Sequence, residues 1–204
     1  SPFLKELCYL VIPLFCVILV YNFIYNTKSK EKMLLRLGLF ALLSQYPYYF
    51  AFNNHLISPG LNVLFTLFAG CCIIYLVDRS QSEQTYLIAG FAALALMVFE
   101  YLTQTRYLQI LDGGLGSITL MLSVFLLFQS SLATRALGFA LCISSAWILH
   151  GTYILWPLTA VFFALYCSRF IPFQLQFMRN KWFFYVFYPT HLFLIEGTRL
   201  LFIR

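Results

Sequence analysis

Charge is what this sequence has least of. Asp, Glu, Lys and Arg make up 10% of its 204 residues, against about a quarter in a typical soluble protein, and no stretch is polar enough to form a soluble domain. Heptads, low-complexity tracts and soluble linkers are missing, as is any internal repeat strong enough to argue an inverted-repeat transporter. The glycine run "DGGLG" at 112–116 has neither the preceding strand nor the following Gly-Lys-Ser/Thr of a phosphate loop. Cys8, Cys16, Cys71, Cys72, Cys142 and Cys167 show no CxxC spacing and no histidine at ligand spacing, so they read as buried free thiols and no metal site is expected. The net charge of +6 sits at the ends of apolar runs, where it sets membrane orientation, and no nucleic-acid partner is expected.

What remains is 62% hydrophobic and 20% aromatic, with mean hydropathy +0.84. Apolar runs of about 18 residues, enough to cross about 30 Å of hydrocarbon, recur along the chain. The expected fold is all-α: a polytopic integral membrane helical bundle, one domain over 1–204, with about eight transmembrane spans. These are 7–26, 34–52, 61–78, 85–103, 114–129, 136–149, 152–168 and 182–199. The sixth and seventh are short and separated only by "HGT", so they read equally as full crossings, a tight hairpin or a re-entrant pair. Alternate loops hold Lys28, Lys30, Lys32, Arg36, Arg79, Arg135, Arg169, Arg179 and Lys181, nine of 13 basic residues, and by the positive-inside tendency these loops face the cytoplasm. Aromatic clusters such as "YPYYF" and "KWFFY" suit the headgroup zone as anchors. Ser1, Pro2, Lys5 and Glu6 before the first run suggest a processed or truncated amino end, and that run is too long for a removable signal peptide.

Polar side chains inside a span cost about 2.5–3.5 kcal/mol at mid-bilayer if ionisable, so they normally face the bundle interior or a wet cavity. Arg36 lies one turn inside the inner boundary and reads as a snorkelling anchor or a site cation. Ser44 and Gln45 precede Pro47, which frees the carbonyl of Leu43 from its helical bond; Gln45 either satisfies the broken helix or lines a substrate path. Asn53, Asn54, His55 and Asn62 follow at the outer turn. Glu100, Arg106 and Asp112 gather round the second outer loop, where an ion pair is as natural as catalysis. His55 and His150 sit in outer turns. His191 lies about ten residues into the last span with Tyr188 at i−3 on the same face, and Pro189 releases the carbonyl of Tyr185. A histidine's ordinary pKa, about 6.5, suits a general base or a hydrogen-bond partner.

In order, "IPLFCVILVYNFIYNT", "RLGLFALLSQYPYYFAF", "LNVLFTLFAG", "LDGGLGSITLML" and "KWFFYVFYPTHLFLI" resemble the TraX family of multi-spanning bacterial inner-membrane proteins, from about Ile12 to Ile195. The namesake N-acetylates the amino terminus of F-type pilin, and the family looks related to broader membrane acyltransferases. The resemblance implies acetyl transfer from acetyl-CoA to an acceptor amine, with a pilin amino terminus as the leading case. Matching polar positions are Arg36, Ser44, Gln45, Asn62, Asp112, Gly116, Tyr188, Pro189 and His191. The family also usually has an earlier helix ending in Asp-His, which this sequence starts after, and Gly-Arg where Cys8 and Tyr9 stand here.

On this reading His191 and Tyr188 are the catalytic pair, while Arg36, Ser44, Gln45, Asn62 and Asp112 bind substrate. Arg36 and the inner basic loop attract the CoA phosphates, and Gln45, Asn62 and Tyr188 line the path or supply donors. The same buried polar residues also suit a small-metabolite transporter, or a non-catalytic subunit or chaperone that binds a pilin-like helix.

Overall fold

A computed structural model describes residues 2–52, 60–103 and 114–150, together with 155, 158–159, 161–162, 166, 188–190, 192–194 and 197. Among the described residues every regular element is helical. These are α1 (Pro2–Tyr21), which runs on into a π-helical turn (Asn22–Asn26), α2 (Lys30–Phe52), α3 (Val63–Ser80), α4 (Glu83–Thr103), α5 (Gly114–Leu127) and α6 (Leu132–His150). The expected seventh and eighth spans fall largely outside the described residues.

The first six expected spans each correspond to a helix, with the largest differences at their starts and shifts of one or two residues at the ends of α3, α5 and α6. Serines that read as loop stand at the starts of two helices, Ser29 capping with its hydroxyl and Ser131 accepting only at its backbone carbonyl. Ser29 accepts from the backbone N–H groups of Lys32 and Met33, so α2 begins at Lys30 instead of 34. Ser131 accepts from Arg135 N–H and from the Thr134 hydroxyl, which draws 132–135 into α6. The sixth element is one continuous helix of 19 residues, about 28 Å long, and its junction with the expected seventh span at 151–154 lies outside the described residues. Helix α2 also continues through Pro47 to Phe52 without a break.

By length and apolarity, Val63–Ser80 is the one described helix able to cross a membrane. Shorter apolar stretches cover Ile12–Asn26, Glu83–Phe99, Gly114–Leu127 and Leu132–Ile148.

Side-chain contacts set the helix directions. Asn62 bonds Ala41 and Gln45 at one end of the α2/α3 pair while Lys30 bonds Asp78 at the other, so the two are antiparallel. Thr119 meets Ser145, and Gly138 lies against the Leu126–Leu127 turn, so α5 and α6 are antiparallel. Gly90 packs on Leu137 and Met97 on Ser145, so α4 and α6 run the same way. The α1/α2, α3/α4 and α5/α6 connections consequently meet at one end.

That end carries the charged side chains that are described. Lys30 Nζ lies 2.5 Å from Asp78 and 5.3 Å from the centroid of the Phe23 ring, Glu83 accepts from Ser131, and Lys28, Lys32, Arg79 and Arg135 are exposed. The Tyr75 hydroxyl donates to Glu31 at 2.7 Å, and this bond, ahead of the backbone amide, holds the Glu31 carboxyl below the ordinary carboxylate range.

Helix α5 is the axis of the bundle. Residues Gly116 to Leu126 are buried on every side, enclosed by α1, α3, α4 and α6. Outward-facing positions on the surrounding helices are large and apolar, among them Leu39, Leu42, Leu76, Ile88, Phe91 and Phe139. Apolar residues thus occupy both the inside and the outside, as in a bundle whose solvent is lipid. Cys16, Cys71 and Cys142 are free and buried in the core, and Cys72 is free and half-buried, as expected for buried thiols.

Two glycines let α5 be approached closely. A Cβ on Gly138 would lie 2.9 Å from the Ser123 carbonyl oxygen and 3.0 Å from the Leu127 nitrogen, both fixed backbone atoms, whereas one on Gly70 would meet the flexible Met121 thioether. Gly138→Ala is expected to destabilise the protein by about 1–3 kcal/mol, clearly more than Gly70→Ala, as measured by thermal unfolding in detergent. At the charged end the Glu31 pKa is lowered by folding, so its contribution is present at neutral pH and is lost as pH falls through that lowered value. Tyr75→Phe should weaken this acid-side dependence of the unfolding midpoint, the backbone amide and Ser29 still lowering the Glu31 pKa, while leaving the neutral-pH profile flat.

Candidate functional site

The buried polar side chains lie mainly toward the other end. Asn62 caps α3: its Oδ1 accepts from Leu64 N–H at 3.0 Å. Its Nδ2 donates to the Ala41 carbonyl at 2.8 Å and to Gln45 Oε1 at 2.9 Å. Gln45 Oε1 also accepts from Asn62 N–H at 3.0 Å, and Gln45 Nε2 donates to the Gly60 carbonyl at 2.8 Å. The two carboxamides therefore form a closed clamp that ties residues 60–62 to α2. Gln45 bridges to the next segment and does not repair its own helix beside Pro47, as one of its sequence readings held.

A second polar group lies within α5 and its neighbours. Thr119 donates to the Leu115 carbonyl at 2.9 Å and shares a 2.9 Å contact with the Ser145 hydroxyl, which lies 3.9 Å from Met97 Sδ. Ser123 donates to the Leu120 carbonyl at 2.7 Å.

Two hydroxyls differ from these. Ser44 and Ser117 are each 0% exposed, and neither oxygen has a hydrogen-bond partner. An unsatisfied buried hydroxyl costs about 1–3 kcal/mol, and native proteins leave few of them. Ser44 sits between Ala41 and Gln45, level with Asn62. Ser117 lies four residues before Met121, the neighbour of Gly70, and so is level with Thr66. The two levels are about 6 Å apart along the bundle, on either flank of α3.

Of the residues expected at a site, Ser44, Gln45 and Asn62 are brought together here. Arg36 is half-buried nearer the charged end, nine residues or about 13 Å of helix from Gln45. Tyr188 is half-buried against the core, and Leu192, one turn on, is buried. His191 and Asp112 lie outside the described residues, as do His55 and Arg106. Sequence reading passed over Ser117, Thr119 and Ser145. A signal for the first two was present: α5 is apolar on every face, so it must be a buried helix and any hydroxyl on it an interior one.

A shallow apolar groove of about 300 Å³ lies between α4 and α6, lined by residues that include Met97, Val98, Tyr101, Ile143 and Trp147.

Comparison with known proteins gives one match, to the family model described as TraX protein, over residues 1–199. No curated protein and no solved structure matches the chain.

The clamp sets an energetic expectation. Asn62→Ala removes the cap on Leu64 N–H and the two side-chain bonds to the Ala41 carbonyl and Gln45 Oε1, and is expected to cost about 1–3 kcal/mol. Gln45→Ala should cost less, and the double variant should fall short of the sum by about 1 kcal/mol or more, because both changes dismantle one network. Denaturant or thermal unfolding of the four proteins in detergent measures this coupling.

Proposed function

We propose that this chain, which belongs to the TraX family, is a polytopic protein of the bacterial inner membrane that transfers an acetyl group from acetyl-CoA to an acceptor amine. The amino terminus of a pilin is the leading acceptor. The observation that carries the reading is the polarity of the bundle. Cations gather at one end, uncharged hydrogen-bonding groups are buried toward the other, and the outer faces of α2, α3, α4 and α6 are apolar. Such a body suits a long anionic donor that meets the bundle at its cytoplasmic face and extends a neutral arm inward.

In the proposed reaction the amine nitrogen attacks the thioester carbonyl carbon, forming the C–N bond. The tetrahedral adduct then collapses with cleavage of the C–S bond, and the sulfur leaves as thiolate and is protonated to CoA thiol. The proton lost by the amine passes to a base. That role is assigned to His191, with Tyr188 beside it on the same helical face and Asp112 among the substrate-binding groups. Arg36 and the exposed Lys28, Lys32, Arg79 and Arg135 attract the CoA phosphates. Gln45 and Asn62, which spend their hydrogen bonds on each other and on backbone, keep the wall of the path in shape. Direct transfer and an acetyl-histidine relay share these groups.

A second reading, a non-catalytic subunit that receives a partner's transmembrane helix, is favoured by the groove between α4 and α6.

Purified protein in proteoliposomes, supplied with labelled acetyl-CoA and an amine-terminated pilin-like peptide, should acetylate the peptide, and a folded His191→Ala variant should lose at least about 100-fold of that rate. Full activity in His191→Ala would remove the catalytic assignment. A stable complex with the peptide but no transfer by the wild-type protein would favour the helix-binding subunit.

A further inference from the structure

We propose that Tyr25, backed by Tyr21 and Phe128, is the stacking surface for the purine of the nucleotide-bearing acetyl donor, with Lys28 and Arg135 beside it taking the phosphates. This subsite rests on the acetyl-transfer reading above and gives the donor's outer end a location. The geometry begins where α1 ends. The chain leaves α1 through the π-helical turn Asn22–Asn26, which the Thr27 hydroxyl closes by donating to the Asn22 carbonyl at 2.8 Å. Such turns are rare and gather at functional sites. Here the Tyr21 and Tyr25 rings lie 5.0 Å apart, and both meet Phe128, just past the end of α5, at 5.9 and 5.6 Å. Three rings in mutual contact hold one another in place. Tyr25 is 56% exposed, whereas Tyr21 and Phe128 are half-buried, so Tyr25 is the ring open to a ligand.

The charge around the rings selects the ligand. Lys28 follows Tyr25 by three residues, and Arg135 donates to the Ser130 carbonyl, two residues beyond Phe128. Both cations are exposed, and among the described residues neither forms an ion pair. Their neighbours are already committed: Lys30 to Asp78 and to the Phe23 ring face, and Glu83, which reaches the α5/α6 connection from α4, to the Ser131 hydroxyl. The stretch 169–181, outside the described residues and expected on the same side, holds Arg169, Arg179 and Lys181 and no acid. An exposed aromatic face flanked by uncommitted cations suits a flat ring system joined to phosphates, because bases stack on aromatic side chains while Lys and Arg bond phosphate oxygens. A phospholipid headgroup brings the phosphate but not the ring. In a CoA thioester the purine and phosphates lie at one end and the acyl carbon at the other. The rings therefore hold the donor without touching the reacting atoms, which is uniform binding of ground and transition states.

The test is calorimetric binding of adenosine 3′,5′-bisphosphate and of pyrophosphate, which lacks the base, to the purified full chain in detergent. The wild type should bind the nucleotide at least about fivefold more tightly than pyrophosphate. Tyr25→Ala, and Tyr25→Leu, which keeps apolar bulk, should each lose that preference with pyrophosphate affinity unchanged, while Tyr25→Phe keeps it. Lys28→Gln and Arg135→Gln should weaken both ligands. In the proteoliposome assay Tyr25→Ala should raise KM for acetyl-CoA and leave kcat as it is. Three outcomes overturn the proposal: no preference for the nucleotide in the wild type, a preference that Tyr25→Ala and Tyr25→Leu retain, or variants that bind nucleotide normally and are only less stable, which marks the rings as interfacial anchors. Acetyl transfer whose KM ignores Tyr25→Ala would remove this subsite and leave the acetyltransferase reading standing. Tyr25-dependent nucleotide binding by a protein that transfers nothing would do the reverse.

Discussion

The architecture depends on enclosing α5. Over residues Gly116 to Leu126 this helix has no face toward the outside, so each neighbour must reach it at close range. Small residues permit this at Gly70 and Gly138, and the aliphatic, thioether and thiol groups of the core fill what remains. Enclosure also fixes the fate of every polar atom on α5. Thr119 and Ser123 return their hydroxyls to the helix backbone, Ser145 approaches from α6, and Ser117 is left over. In a low-dielectric interior such a remainder matters, because satisfied groups rigidify the bundle while an unsatisfied one is costly.

A second constraint comes from the loops. Alternate connections meet at one end, where Lys30 and Asp78, and Glu31 and Tyr75, link α2 to α3, and Glu83 and Ser131 link the starts of α4 and α6. Not all of the basic residues there are free to meet a substrate: Lys30 is held by Asp78, while Lys28, Lys32, Arg79 and Arg135 remain exposed. At the other end the Gln45–Asn62 clamp does the corresponding work without charge. The bundle is thus tied by ionic contacts on one side and by amides on the other, with the interior hydroxyls between them.

Much of this was legible in the sequence. The apolar runs placed the first six helices, and the spacing of Lys and Arg identified the loops that converge. The helix starts at Lys30 and Leu132 were harder to see, because a capping serine belongs to the loop in composition and to the helix in hydrogen bonding. Gln45 and Asn62 were recognisable as polar residues that need partners, but sequence could not show that they satisfy each other across the α2/α3 turn. Ser117 was hidden for a different reason. A serine in an apolar helix normally bonds back to its own backbone, as Ser123 does, and only the coordinates distinguish the one that does not. His191 and Asp112 stay with the sequence and family reading, since they lie outside the described residues.

The central claim is that this TraX-family chain adds an acetyl group to an amine. The most direct measurement is the intact mass of envelope and pilin-like proteins from cells with and without the gene. The account predicts that at least one such protein loses the mass of a single acetyl group at its amino terminus when the gene is removed, and regains it on complementation. Identical masses in the two strains, with the protein present in the membrane of the first, would contradict it.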